Sequence, residues 1–162
     1  MPTTMPDIRE FLALQRIALV GTSRDPKDFS RYVLREMCAR GYDMVPVNPA
    51  VQGELENRQC FARVQEIGPP VEGALVLTAS RDTEQVVRDC AEAGIRHVWM
   101  HRSGGQGSVS QAAVDFCREK GIHLVEGCCP FMFLPHTPFF HRVHGFLLKL
   151  TGGYPGEMPK AA

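Results

Sequence analysis

The stretch ALVGTSRDPKDFSRYV sets a single glycine, Gly21, directly after an apolar run and follows it with hydroxyls and cations: Thr22, Ser23, Lys27, Ser30 and Arg31. Such a set can hold a phosphate through hydroxyls, backbone N–H groups and the N-terminus of a following helix. It is not a dinucleotide fingerprint. That motif needs three glycines, for the turn, for close approach to the pyrophosphate and for helix packing, and then an acid for the ribose. Here only Gly21 is present, and the second apolar run ends in Pro46, Val47, Asn48 and Pro49, with Asp43 at its wrong end. After the third run come Thr78, Ala79, Ser80 and Arg81, and after the fourth HRSGGQGSVS, in which Arg102 and a glycine-rich backbone suit a further anion nest.

Other chemistry is less well supported. Cys128 and Cys129 with His136, His141 and His144 offer thiolates and imidazoles, but adjacent cysteines lack the spacing by which two sulfurs reach one zinc ion, so no metal site is predicted. The doubled thiol is a candidate for redox sensitivity. His97, His101 and His123 stand isolated at strand positions, with no nucleophile and acid beside them, and no catalytic set is evident. The chain carries Lys+Arg 18 against Asp+Glu 18, so no overall field favours nucleic acid or an anionic membrane. No apolar run reaches the length of a membrane span. MPTTMPDIREF shows neither the basic nor the apolar part of a signal peptide, so the expected location is cytoplasmic, with the thiols reduced. Cys38, Cys90 and Cys117 fall in helical patterns as core residues.

The elements that must position these residues follow from the apolar periodicity. IALVG at 17–21, YDMVPV at 42–47, GALVLTA at 73–79, HVWMH at 97–101 and IHLVEG at 122–127 read as strands buried on both faces. Between them lie helical patterns: Val33, Leu34, Met37 and Cys38, with Ser30 as N-cap and Gly41 as C-cap; then Val86, Val87 and Cys90 after a capping-box spacing Asp82 to Gln85. A third follows Ser108 and Gln111, through Ala112, Val114 and Phe116 to Gly121. Residues 51–70 are less regular, with a short amphipathic piece at 62–67. Strands alternating with helices predict a doubly wound, Rossmann-like α/β fold, a parallel sheet of about five strands. In such sheets ligands sit at the carboxyl ends of the strands, where strand order reverses. The tail from Pro135, with Phe139, Phe140, Val143, Phe146, Leu147 and Leu150 near helical spacing, predicts an added amphipathic helix packed on the same domain or on a second subunit.

The ordered combination VGTSRDP, a helix ending in RGY, VPVNP, a strand ending in TASR, GIRHVWM and a late glycine-cysteine-proline resembles the CoA-binding domain family over roughly residues 14–134. These are single Rossmann-like domains similar to the N-terminal domain of the succinyl-CoA synthetase alpha subunit. The resemblance implies coenzyme A or an acyl-CoA as ligand, with residues 1–134 as the binding domain and 135–162 as a helical extension. It implies that Gly21, Thr22 and Ser23 form the turn for the CoA phosphates, with Lys27, Ser30 and Arg31 at the helix N-terminus. Pro46, Val47, Asn48 and Pro49 would line the adenosine end, and Thr78, Ala79, Ser80 and Arg81 the pantetheine or pyrophosphate path. HRSGGQGSVS departs from the family's short glutamine-glycine turn: either Gln106-Gly107 replaces that turn, or Arg102 and the glycine-rich backbone add an anion contact that the resemblance does not imply. The synthetase's second domain is absent, so ligase activity is not implied. Two alternatives remain open on the residues: an NAD(P)-dependent oxidoreductase, and a structural or regulatory protein assembling through the C-terminal helix.

Overall fold

The computed structural model describes residues 3–102, 107–135 and 155. The expected C-terminal helix, His136, His141, His144 and residues 103–106 of the glycine-rich stretch lie outside the described residues. Five strands, β1 (Arg16–Val20), β2 (Asp43–Val47), β5 (Gly73–Val76), β6 (His97–His101) and β7 (His123–Cys128), form one parallel sheet in the order β2-β1-β5-β6-β7. A two-stranded hairpin, β3 (Glu54–Leu55) with β4 (Arg58–Gln59), stands outside it. The helices are α1 (Met5–Leu12), α2 (Phe29–Ala39), α3 (Ser80–Glu92) and α4 (Gln111–Glu119). The order reverses between β1 and β5, so the predicted doubly wound sheet is present and its switch point lies beyond Val20 and Val76.

The central positions of the strands are apolar because helices cover both faces, while polar residues such as Arg16, Asp43, His97 and His123 stand at the strand starts. α3 and α4 bury Val87, Cys90, Ala113, Val114 and Cys117 against Ala18, Val76 and Val98 on one face. On the other, α1 and α2 bury Ile8, Phe11, Val33, Leu34 and Met37 against Leu19, Leu75 and Trp99. Trp99 is fully buried, meets Phe11 edge-on at 5.3 Å and donates its indole N–H to the Cys128 carbonyl at 2.9 Å. An indole of this size is accommodated only because its one polar atom is satisfied.

Three local features differ from the sequence expectation. α1 is an additional helix, opened by a reciprocal capping box between Thr4 and Asp7, with Ile8 and Phe11 turned to the core. The cap of α2 is Asp28, not Ser30: the Asp28 carboxylate accepts from the Ser30 N–H at 2.8 Å and from its hydroxyl at 2.6 Å. The expected capping boxes of α3 and α4 do not form. α3 begins two residues before Asp82, with Ala79 at the N-cap, and Ser108 is buried instead, its hydroxyl 2.8 Å from the Val76 carbonyl and 2.9 Å from that of His101. Buried carbonyls at two strand ends compete successfully for that hydroxyl.

Candidate functional site

At the carboxyl edge, β1 hands over to a loop tied to both neighbouring strands. The Gly21 and Thr22 N–H groups donate to the Val47 carbonyl at 2.9 and 3.4 Å, and Leu77 N–H donates to the Val20 carbonyl at 2.8 Å. Gly21 has φ +95°, and a Cβ there would lie 2.9 Å from the Thr78 nitrogen and 3.0 Å from the Leu77 carbonyl carbon. Glycine is therefore required twice over, for the left-handed backbone and for the close pass of two chain segments.

Beyond these strand ends opens a cavity of about 630 Å³, in the size range of small-molecule sites. Of the residues singled out by sequence, Gly21, Val47, Asn48, Pro49, Thr78, Ala79 and Arg81 line it. Thr22, Ser23, Lys27, Ser30, Arg31, Pro46, Ser80 and Arg102 are not among its lining residues. Apolar walls come from Val20, Val64 and Val86, and the far end is closed by Arg63 paired with Asp89 at 2.9 Å. Burial raises the Asp89 pKa, but hydrogen bonds from Arg63, Gln85 and Gln65 outweigh it and the net shift is downward. Asn48 joins two loops: its amide donates to the Thr22 carbonyl and its oxygen accepts from Ala50 N–H, both at 2.8 Å.

The two helix N-termini near this edge differ. That of α2 already holds the Asp28 carboxylate, which supplies the negative charge an N-terminus favours. α3 has no side-chain hydrogen bond at its cap, and its first turn carries the exposed Arg81 beside the cavity. Asp82 N–H donates to the Ala79 carbonyl at 2.9 Å, and no cap side chain reaches the first turn ahead of it.

The remaining sequence candidates on this side organise the loop. Thr22 is buried, with its hydroxyl on the Leu19 carbonyl at 2.7 Å. Ser23 N–H donates to the Ser30 hydroxyl at 2.8 Å. Arg31 is buried, and its guanidinium reaches the Glu56 carboxylate at 2.6 and 2.9 Å and the Arg24 carbonyl at 3.1 Å. Arg35 adds a bond to the same Glu56 oxygen at 2.8 Å. Glu56 and Asn57 form the hairpin turn with φ 51° and 59°, the doubly left-handed geometry of a type I′ turn. Glu56 thus occupies a backbone region unfavourable for it, held there by two guanidinium groups. Lys27 is exposed at the tip of the loop, where its N–H donates to Asp25 at 2.9 Å, and Arg102 is exposed beyond β6.

Burial raises the Glu56 pKa, but hydrogen bonds from Arg31 and Arg35 overcome it, and the folded value lies below the ordinary 4.5. A depressed carboxylate pKa contributes stability above the unfolded value and loses it as pH falls through the folded one. The melting temperature is therefore expected to fall on acidification below about pH 4.5, and Glu56→Gln to lower it at pH 7 while flattening that acid slope. An acid slope unchanged in the variant, measured by thermal denaturation from pH 7 to 3, would show that the clamp does not contribute.

Sequence reasoning could not see the Arg31–Glu56 clamp, because its partners lie on α2 and on a hairpin whose strands are two residues each. Cys128 and Cys129 lie at the end of β7 and just beyond it. Both are buried, and burial pushes their thiols up to about 11, away from the reactive thiolate.

The sequence model of a family described as the CoA binding domain matches residues 15–135. The chain is 29% identical over 124 residues to the uncharacterized protein YneT of Bacillus subtilis (strain 168), covering 76% of this chain and 88% of that one. It is 25% identical over 103 residues to the acetate–CoA ligase (ADP-forming) II of Archaeoglobus fulgidus, covering 62% of this chain and only 15% of the ligase. Among solved structures, a hypothetical protein from Pyrococcus horikoshii OT3 superposes with a TM-score of 0.72 at 28% identity, over 80% of this chain and 91% of that one.

Proposed function

The chain belongs to the CoA-binding domain family, and from that premise we propose that it binds coenzyme A or an acyl-CoA in the cavity at the β1/β5 switch point. The observation that carries this reading is the cavity itself: one close-approach glycine, a proline-edged wall at Asn48–Pro49 and an uncapped helix N-terminus converge on it. The diphosphate lies between the Gly21 turn and the first turn of α3, where open N–H groups and Arg81 meet its charge. The adenine lies against Pro49 and the apolar walls. Lys27 and Arg102, both exposed, meet further phosphate charge from outside the cavity, and the pantetheine arm leaves past Thr78 to Arg81.

On this reading Ser30 and Arg31 act indirectly. They fix the shape of the 22–28 loop, and the phosphates contact backbone that these side chains hold in place. No catalytic set is proposed, and the domain presents its ligand without transforming it. The similarity to an acetate–CoA ligase supports the ligand and not the reaction, because the match spans a small part of that enzyme.

An NAD(P) reading meets two obstacles among the described residues. The end of β2 offers no acid, and Asn48 is already engaged with Thr22 and Ala50. Asp43 lies at the opposite edge, bonded to Arg16 and Arg58. In a thermal-shift titration CoA is expected to raise the melting temperature progressively, ADP to do so less, and NAD(H) and NADP(H) to have no effect. A response to NAD(H) that exceeds that to CoA, or none to CoA at millimolar concentration, would overturn the proposal.

A further inference from the structure

The opposite, amino-terminal edge of the sheet carries a cluster that no argument about the cavity uses. His97 opens β6 and His123 opens β7, and the two are register partners on adjacent parallel strands. Register places both imidazoles on the face that also carries Trp99 and Val125, the face covered by α1. The rings stack with centroids 4.9 Å apart and planes 18° from parallel. Above them α1 contributes Glu10, whose two carboxylate oxygens address the two rings separately: one is 3.1 Å from His97 Nε2, the other 3.4 Å from His123 Nδ1. One ligand atom from each residue lies within 4.8 Å of the other two.

We infer that Glu10, His97 and His123 form a binding site for a divalent transition-metal ion of the zinc class, one that fastens α1 to the start of β6 and β7. Two imidazoles and one carboxylate are a donor set that zinc accepts, with a fourth position left for water. Bond lengths of about 2.0–2.2 Å set tetrahedral neighbours about 3.4 Å apart, close to the two carboxylate–imidazole separations already present. Drawing in the third edge requires only side-chain adjustment, since Glu10 and His123 are half exposed. Calcium and magnesium are disfavoured by the nitrogen donors. The site is on the far side of the sheet from the cavity, so its role is structural. α1 is otherwise held by the Phe11–Trp99 contact, by the preceding Thr3 hydrogen-bonded to Glu126, and by the Tyr42 hydroxyl on the Leu12 carbonyl.

The test uses the full, tag-free chain, stripped with chelator and titrated with Zn²⁺ by calorimetry and with Co²⁺ by absorption. One equivalent is expected to bind and to raise the melting temperature, and the Co²⁺ spectrum should show d–d bands without thiolate charge transfer. His123→Ala and Glu10→Gln are expected to weaken binding at least about tenfold, in line with losses seen when metal sites lose a supporting group, while leaving the metal-free melting temperature close to that of the parent. Absence of binding, a thiolate band, or affinity unchanged in both variants would overturn the assignment; the last two would place any ion on the cysteines or on the tail histidines instead.

Discussion

Gly21→Ala is expected to destabilise the protein by about 3 kcal/mol, lowering the melting temperature by roughly 6–12 °C, whereas Gly41→Ala is expected to cost only about 1 kcal/mol. The two glycines share nearly the same φ, +95° and +93°, so the penalty for a left-handed φ falls on both. They differ in what a methyl group would meet. At Gly41, past the end of α2, nothing lies within 4 Å, whereas at Gly21 the methyl would press on backbone at Leu77 and Thr78. Backbone cannot swing aside as a flexible side chain can, so β1 and β5 must separate where their ladder ends. The difference between the variants therefore isolates the close approach, and equal losses in paired thermal melts would remove it as the reason for glycine at this position. Because the same atoms frame the proposed diphosphate site, Gly21→Ala is also expected to abolish the CoA-induced shift, while Gly41→Ala retains it.

Arg31→Ala carries the second large effect, about 3 kcal/mol and at least a tenfold loss of CoA affinity. The guanidinium joins three things: α2, the 22–28 loop through the Ser23 and Arg24 carbonyls, and the hairpin through Glu56. Its side chain is 11% exposed, so truncation leaves a partly buried carboxylate facing Arg35 alone. Melting temperature and affinity together separate two roles. A group that only contacts phosphate would weaken CoA binding and leave the ligand-free protein as stable as before; a group that holds the loop lowers both. Arg31→Lys should rescue little, because one ammonium cannot replace a planar fork directed at a carboxylate and two carbonyls. An unchanged ligand-free melting temperature in Arg31→Ala would return Arg31 to direct contact with the ligand.

These residues also mark how far the sequence could be read. IALV, GALV and VWM are uninterrupted apolar runs, the pattern expected of a sheet covered on both faces, and the parallel fold followed from them and from the helices between. Gly21 was legible because a glycine after such a run has few other uses. The first helix was missed although its signals are present: Thr4 with Asp7, and Ile8, Phe11 and Leu12 at helical spacing. The hairpin at 54–59 carries almost no periodicity, and its turn uses Glu56-Asn57 where glycine would have announced it. The cap of α2 shifted by two residues because Asp28 and Ser30 compete for one helix end, and a carboxylate suits its partial positive charge; Ser108 left the start of α4 for two buried carbonyls. The long-range groupings, Arg31 with Glu56 and Glu10 with His97 and His123, depend on strand register and helix docking, which no local spacing encodes.

The doubly bonded Asn48 has a kinetic corollary. With its amide on Thr22 and its oxygen on Ala50, the turn after β1 and the turn after β2 move as one jaw. In the proposed binding mode a visiting molecule meets a cleft already shaped, so discrimination between related visitors is expected chiefly in how long each one stays.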